Sequence, residues 1–184
     1  MFLLFYQNKL NSKFSPIFAI LAILFLLFPY GKTLALANNI NKTPLKFERI
    51  SIAEGLSQSY VYDIIQDKNG FIWIATQDGL NRYDGKNFVY YRHNSTNKDS
   101  IADNFIRKLF IDNRGVLWIG TNKGLSTYNE EFDNFDNFFH QSNDSNSLKD
   151  NEIWDIYQDP QNDIWISTKE GLHKFDQENK NFSR

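Results

Sequence analysis

The 184-residue chain contains no cysteine. That absence excludes a disulfide framework, thiol chemistry and a lipid-modified N-terminal cysteine, so the fold must be held by burial alone. Acidic residues are missing from the first 37 positions, which hold Lys9, Lys13 and Lys32 but neither Asp nor Glu. Membrane-length apolar runs are also lacking: the longest, Ile17 to Phe28, is too short to span a bilayer comfortably. No basic patch interleaved with aromatics occurs, and removing the three leader lysines takes the formal net charge from −2 to −5. Such a surface repels phosphate backbones, and nucleic acid is not an expected partner.

What the N-terminus does contain is a lysine-flanked apolar segment followed by "PYGKTLALA", with Ala35 and Ala37 at the two small-residue positions of a signal-peptidase site. Residues 1–37 read as a secretory signal helix cleaved after Ala37, and 38–46 as a linker. The alternative is an uncleaved N-terminal anchor facing the periplasm. Both place the remainder outside the cytoplasm.

From residue 47 the chain repeats itself. Trp73, Trp118 and Trp165 are separated by 45 and then 47 residues, as are Gly79, Gly124 and Gly171. Each copy opens with a mostly apolar run rich in β-branched and aromatic residues ("VYDIIQD", "IRKLFID", "IWDIYQD") suited to an inner strand. A turn follows ("DKNG", "DNRG", "DPQN") in which an Asp bonds its own backbone and the fourth residue must tolerate positive φ, as Gly70, Gly115 and Asn162 do. A Trp-bearing second strand closes at Thr-x-x-Gly, a third strand follows, and aromatic segments such as "NFVYYRH" and "FDNFFH" supply a fourth.

Four short antiparallel strands in about 45 residues describe one β-propeller blade. The expected fold is all-β: a partial propeller of about three four-stranded blades (61–92, 106–139 and 153–184) plus a lone strand, "FERI" at Phe47. The connections "NSTNKDSIADN" and "QSNDSNSLKDN" share Ser-(Ile/Leu)-x-Asp-Asn, and "AEGLSQS" is a shortened version.

The line Asp-x-x-Gly-x-x-Trp-x-x-Thr-x-x-Gly-Leu, occurring three times in register with Asn162 in place of the first Gly in the third copy, resembles the two-component regulator propeller repeat over residues 47–184. The resemblance implies an extracytoplasmic sensing module of bacterial histidine kinases, hybrid regulators or diguanylate cyclases, associated with oligosaccharides or other small ligands. It also implies that any kinase or cyclase activity belongs to a downstream domain. Three copies are fewer than the four to eight blades of a closed ring, which reads as a truncated or split sensor, or as a chain that self-associates to complete one.

Residues serving only the fold should recur from blade to blade, so Trp73, Trp118, Trp165 and the three glycines are assigned to structure. Function is sought where the copies differ. The Thr-x-x-Gly turns carry Gln77 and Asp78, Asn122 and Lys123, then Lys169 and Glu170, and strand alternation puts them on the same face as the blade connections. Together they form a polar rim suited to a hydroxyl-rich ligand. A second set, Asp63, Lys108 and Asp155, shares one inner-strand position and either approaches the central channel or pairs with itself.

No cofactor, metal site or catalytic residue is expected. His93, His140 and His173 share no repeat position and show no ligand spacing. A protein-interaction scaffold and a carbohydrate-active propeller enzyme are the alternative functions.

Overall fold

The computed structural model describes residues 46–183. The expected signal helix with Ala35 and Ala37, and the linker as far as residue 45, lie outside them. Twelve strands form three separate four-stranded antiparallel sheets, each ordered as the chain runs. The first is β1 (Val61–Gln66), β2 (Ile72–Thr76), β3 (Gly79–Tyr83) and β4 (Phe88–Tyr91). The second is β5 (Ile106–Ile111), β6 (Leu117–Thr121), β7 (Gly124–Asn129) and β8 (Asn134–Phe138). The third is β9 (Ile153–Gln158), β10 (Ile164–Thr168), β11 (Gly171–Asp176) and β12 (Asn181–Ser183). Each sheet is a propeller blade.

Local chemistry explains the hairpins. The β1–β2, β5–β6 and β9–β10 turns put their fourth residue at positive φ: Gly70 at 88°, Gly115 at 85° and Asn162 at 71°. One oxygen of each turn aspartate accepts two backbone N–H groups of the turn, and the other accepts the indole N–H of the repeat tryptophan. These indole bonds are Trp73 to Asp67 at 2.7 Å, Trp118 to Asp112 at 3.1 Å and Trp165 to Asp159 at 2.8 Å. The Asp and Trp of the repeat are therefore one device, which satisfies a buried indole while fixing the turn. At the other hairpin, the Thr76, Thr121 and Thr168 hydroxyls donate to the carbonyls of Gly79, Gly124 and Gly171.

Burial couples Asp112 to acidity. Desolvation pushes its carboxyl up, but hydrogen bonds from Arg114, the Val116 N–H and the Trp118 indole outweigh this and hold it below the usual range. A depressed folded-state value contributes stability above the unfolded value near 4, lost as pH falls through the folded value. Melting temperature is expected to fall steeply below about pH 4, and Asp112→Asn should flatten that slope in melts from pH 7 to pH 3.

Two cores lie between adjacent blades. Trp73, Leu80 and Tyr91 of the first blade meet Leu109, Leu117, Ile119 and Phe135 of the second. Trp118 and Leu125 then meet Ile156, Ile164, Ile166, Phe175 and Phe182 of the third. The second blade thus presents one set of repeat positions to the first blade and another to the third. The connections cover the blade edges, with Leu56, Ile101 and Leu148 all buried. Beside them, the backbone N–H groups of Ser57, Ala102 and Lys149 bond to the buried side chains of Asn81, Ser126 and His173.

The lone strand expected at Phe47–Ile50 is not formed: these residues are exposed and outside any strand. A strand exists only as a ladder partner, and the outer edge of β11, where a fourth strand belongs, is already taken by β12 through Phe175↔Phe182.

Candidate functional site

The Thr-x-x-Gly turns and the ends of the blade connections meet at one end of the sheets. Gly79 N–H donates to Asn104 O at 2.7 Å, Asn122 N–H to Phe105 O at 3.1 Å and Lys169 N–H to Glu152 O at 3.2 Å. Side chains extend the contact. Lys123 pairs with Asp103 at 3.4 Å, Asp78 with Arg92 at 3.0 Å, and the Asn122 carbonyl accepts from Arg107 Nε. Gln77, Lys169 and Glu170 are exposed.

The inner-strand set pairs with itself. Lys108 Nζ lies 3.4 Å from Asp63 and 3.5 Å from Asp155, and Asp63 also accepts the Leu109 N–H at 3.0 Å from the next blade. Partly buried Asp63 and Lys108 and exposed Asp155, charges of alternating sign on the inner strands of neighbouring blades, stitch the blades together. Lys108 has both carboxylates as partners, so this set makes an electrostatic seam between blades.

Sequence reading missed a row of residues that the structure brings to the same end. All three inner strands carry a β-bulge: Val61 and Asp63 face Thr76 and Ala75, Ile106 and Lys108 face Thr121 and Gly120, Ile153 and Asp155 face Thr168 and Ser167. The extra residues are Tyr62, Arg107 and Trp154. A bulge re-aims its side chain out of the ladder. Tyr62 and Trp154 are half exposed.

Between them, Tyr62 packs edge-on against Phe105 at 4.9 Å and the Arg107 guanidinium sits over the same Phe105 ring at 5.2 Å. Arg107 also pairs with Glu152 at 2.8 Å, linking the second blade to the start of the third. The signal was available: "YVYD", "FIRK" and "EIWD" place dissimilar residues on both sides of a constant Val or Ile.

The arrangement supplies exposed aromatic faces beside an Arg–Glu pair and an amide. Apolar faces flanked by mixed donors and acceptors suit a ring that is apolar on its faces and hydroxylated at its edge. Among the described residues, no group of three or more His, Cys, Asp or Glu side chains could hold a metal ion.

The histidine reading needs correction. His93 and His140 do share a repeat position: the N–H of each donates to the connection asparagine, Asn104 or Asn151, and each Nδ1 donates to the carbonyl of Ile101 or Leu148. Both stand eleven residues before that asparagine. The unequal spacing of the copies hid the match, and the bonds make the pair connection clamps.

With this geometry in view, the comparisons with known proteins agree on the repeat. Residues 55–78, 100–123 and 147–170 match the family described as two component regulator propeller. The chain is 42% identical over 69 residues to Histidine kinase P4 of Formosa agariphila, covering 38% of this chain and 5% of the kinase. It superposes with a TM-score of 0.69 and 34% identity on the extracellular domain of a putative hybrid two component system from B. thetaiotaomicron, covering 74% of this chain and 20% of that one. PorZ, a surface component of the type-IX secretion system of Porphyromonas gingivalis, shares the fold at a TM-score of 0.50 and 20% identity, over 62% of this chain and 17% of its own. The chain thus spans a fifth or less of the length of these relatives.

Proposed function

We propose that this chain, which carries three two-component regulator propeller repeats, is a ligand-sensing propeller segment of a bacterial signal-transduction sensor, exported to the periplasm. The observation that carries the reading is a division of labour among repeat positions. Residues that build the blade recur: the turn Asp, the Trp, the Thr and the Gly. The turn and bulge residues at the end where turns, connections and bulges meet differ in every blade, and they combine aromatic faces with paired charges. A hydroxyl-rich ligand such as an oligosaccharide fits that chemistry, the aromatics taking its faces and Arg107, Asn122 and Glu152 its hydroxyls. Catalysis plays no part in the proposal.

The test is replacement of Asn122 and Lys123 together by alanine. Oligosaccharide binding by the full-length chain should weaken at least tenfold, read from chemical shifts of the Trp154 indole. Stability should fall by no more than about 1 kcal/mol, because the Lys123–Asp103 pair is exposed on the lysine side. A binding loss that merely tracks unfolding would defeat the proposal.

A scaffold reading has one observation of its own. Tyr157, Trp165 and Leu172 line an apolar recess of about 350 Å³ on the third blade. A protein partner covering that recess would protect Leu172 from limited proteolysis, whereas an oligosaccharide at the rim would not.

A further inference from the structure

At the opposite end of the blades from the rim, the two interfaces can be compared position by position, and they differ in one respect. The residue directly across the ladder from the repeat tryptophan is Arg82 in the first blade, Thr127 in the second and Lys174 in the third. Arg82 fills the groove between the first and second blades. Its guanidinium lies 5.6 Å from the Trp73 ring centre and 5.1 Å from that of Phe71, donates to the Tyr128 hydroxyl at 2.8 Å and approaches Asp133 at 3.5 Å. Tyr91 and Tyr128 each donate to the same Asp133 oxygen at 2.6 Å. Only about 50 Å³ of that groove remains open.

Between the second and third blades the whole plug is absent. Thr127 stands for Arg82, Phe175 for Tyr128, and Lys180 for Asp133, at the same positive φ of 52°. The groove is correspondingly open, at about 380 Å³, within the range of small-ligand sites. Loss of the cation alone would leave a hole with unused acceptors. Here the hydroxyl and carboxylate that received it are replaced too, so the groove is not a vacant cation site.

Its chemistry points to a class of ligand. Trp118 and Phe175 close the floor, and Val116 and Phe138 offer partly exposed apolar surface. The polar walls consist of matched pairs: Lys68 with Glu130 at 3.4 Å, Lys180 with Asp136 at 3.2 Å, and Arg114 with Asp112 at 2.9 Å. Three cations set against three carboxylates leave the walls without a net charge to favour an anionic or a cationic ligand. A hydroxyl both donates and accepts, and bridges a pair without disrupting it.

We propose that the groove between the second and third blades is a second binding site, for a neutral sugar ring or disaccharide. It lies at the other end of the strands from the rim and does not depend on it.

The test transplants the first blade's plug into the second interface, as Thr127→Arg with Phe175→Tyr and Lys180→Asp in the full-length chain. Neutral disaccharides (cellobiose, laminaribiose, maltose and mannobiose) are titrated while the Thr127 methyl and Phe138 ring signals are followed by NMR. Glucosamine and glucuronic acid disaccharides are run alongside.

In the wild type, at least one neutral disaccharide should shift both signals, and its charged counterparts should bind at least tenfold more weakly. In the transplant, followed through Phe138, affinity should drop at least tenfold with no fall in melting temperature. Should the transplant fail to fold, Thr127→Leu fills the same space, and the same loss is expected. Absence of any shift in the wild type, equal binding of charged sugars, or undiminished binding by the filled variant would overturn the proposal.

The Asn122/Lys123 variant separates this site from the rim, since it should keep the Phe138 response while losing the Trp154 response. A missing Phe138 response with Trp154 intact defeats the groove alone, and the reverse defeats the rim alone.

Discussion

Replacing Trp118 by alanine is expected to destabilise the protein by about 3–5 kcal/mol, the range for a large aromatic removed from a packed core. Trp118 is 1% exposed, lies edge-on to Phe175 at 5.0 Å in the core between the second and third blades, and donates its indole N–H to buried Asp112. The substitution opens a cavity between two blades and strips a buried carboxylate of one donor. Trp165→Ala removes the same side chain from the same repeat position, yet should cost distinctly less. Its ring is only half buried, because no blade covers that face among the described residues. Parallel urea melts of the two variants measure the difference, and equal losses would mean that blade stacking is not what holds the repeat tryptophan.

The second large effect concerns the end faces. Tyr157 and Leu172 are 56% and 55% exposed, whereas Phe110 and Leu125, at the same repeat positions one blade earlier, pack in a core. At the other end Ile64 is 60% exposed, although its counterparts Leu109 and Ile156 are buried. Apolar blade faces with nothing on them drive association, and burying one such side chain contributes about 1.5–3 kcal/mol. The purified chain is therefore expected to self-associate, with a sedimentation coefficient that rises with concentration. Tyr157→Lys with Leu172→Lys should weaken that association at least tenfold while changing the melting temperature little, since neither side chain has a core to lose. A monomer that melts sharply without these substitutions would contradict this.

The features legible in the sequence are those decided within a few residues. An Asp-x-x-Gly turn needs positive φ at its fourth position whatever surrounds it, so Gly70, Gly115 and Asn162 declare the hairpins. Recurrence of Trp and Gly in register declares the blades. Features that depend on a partner elsewhere in the chain were not legible. "FERI" has a strand's composition, but the edge it would join belongs to β12.

The bulges at Tyr62, Arg107 and Trp154 are register shifts, visible only once the opposing strand is known. Whether Lys108 faces a channel or pairs rests on carboxylates 45 and 47 residues away. The open groove beside Thr127 follows from three substitutions scattered over two blades, none of which means anything alone.

Hydrogen exchange with and without a recognised oligosaccharide tests most directly the claim that the constant positions build the propeller and the variable ones bind. Added ligand is expected to slow exchange at residues 103–107, 122–123 and 152–155, where turns, connections and bulges meet, and to leave the β10–β11 face around Trp165 and Leu172 unchanged. Protection confined to that blade face, with the rim amides unaltered at saturating ligand, would contradict it.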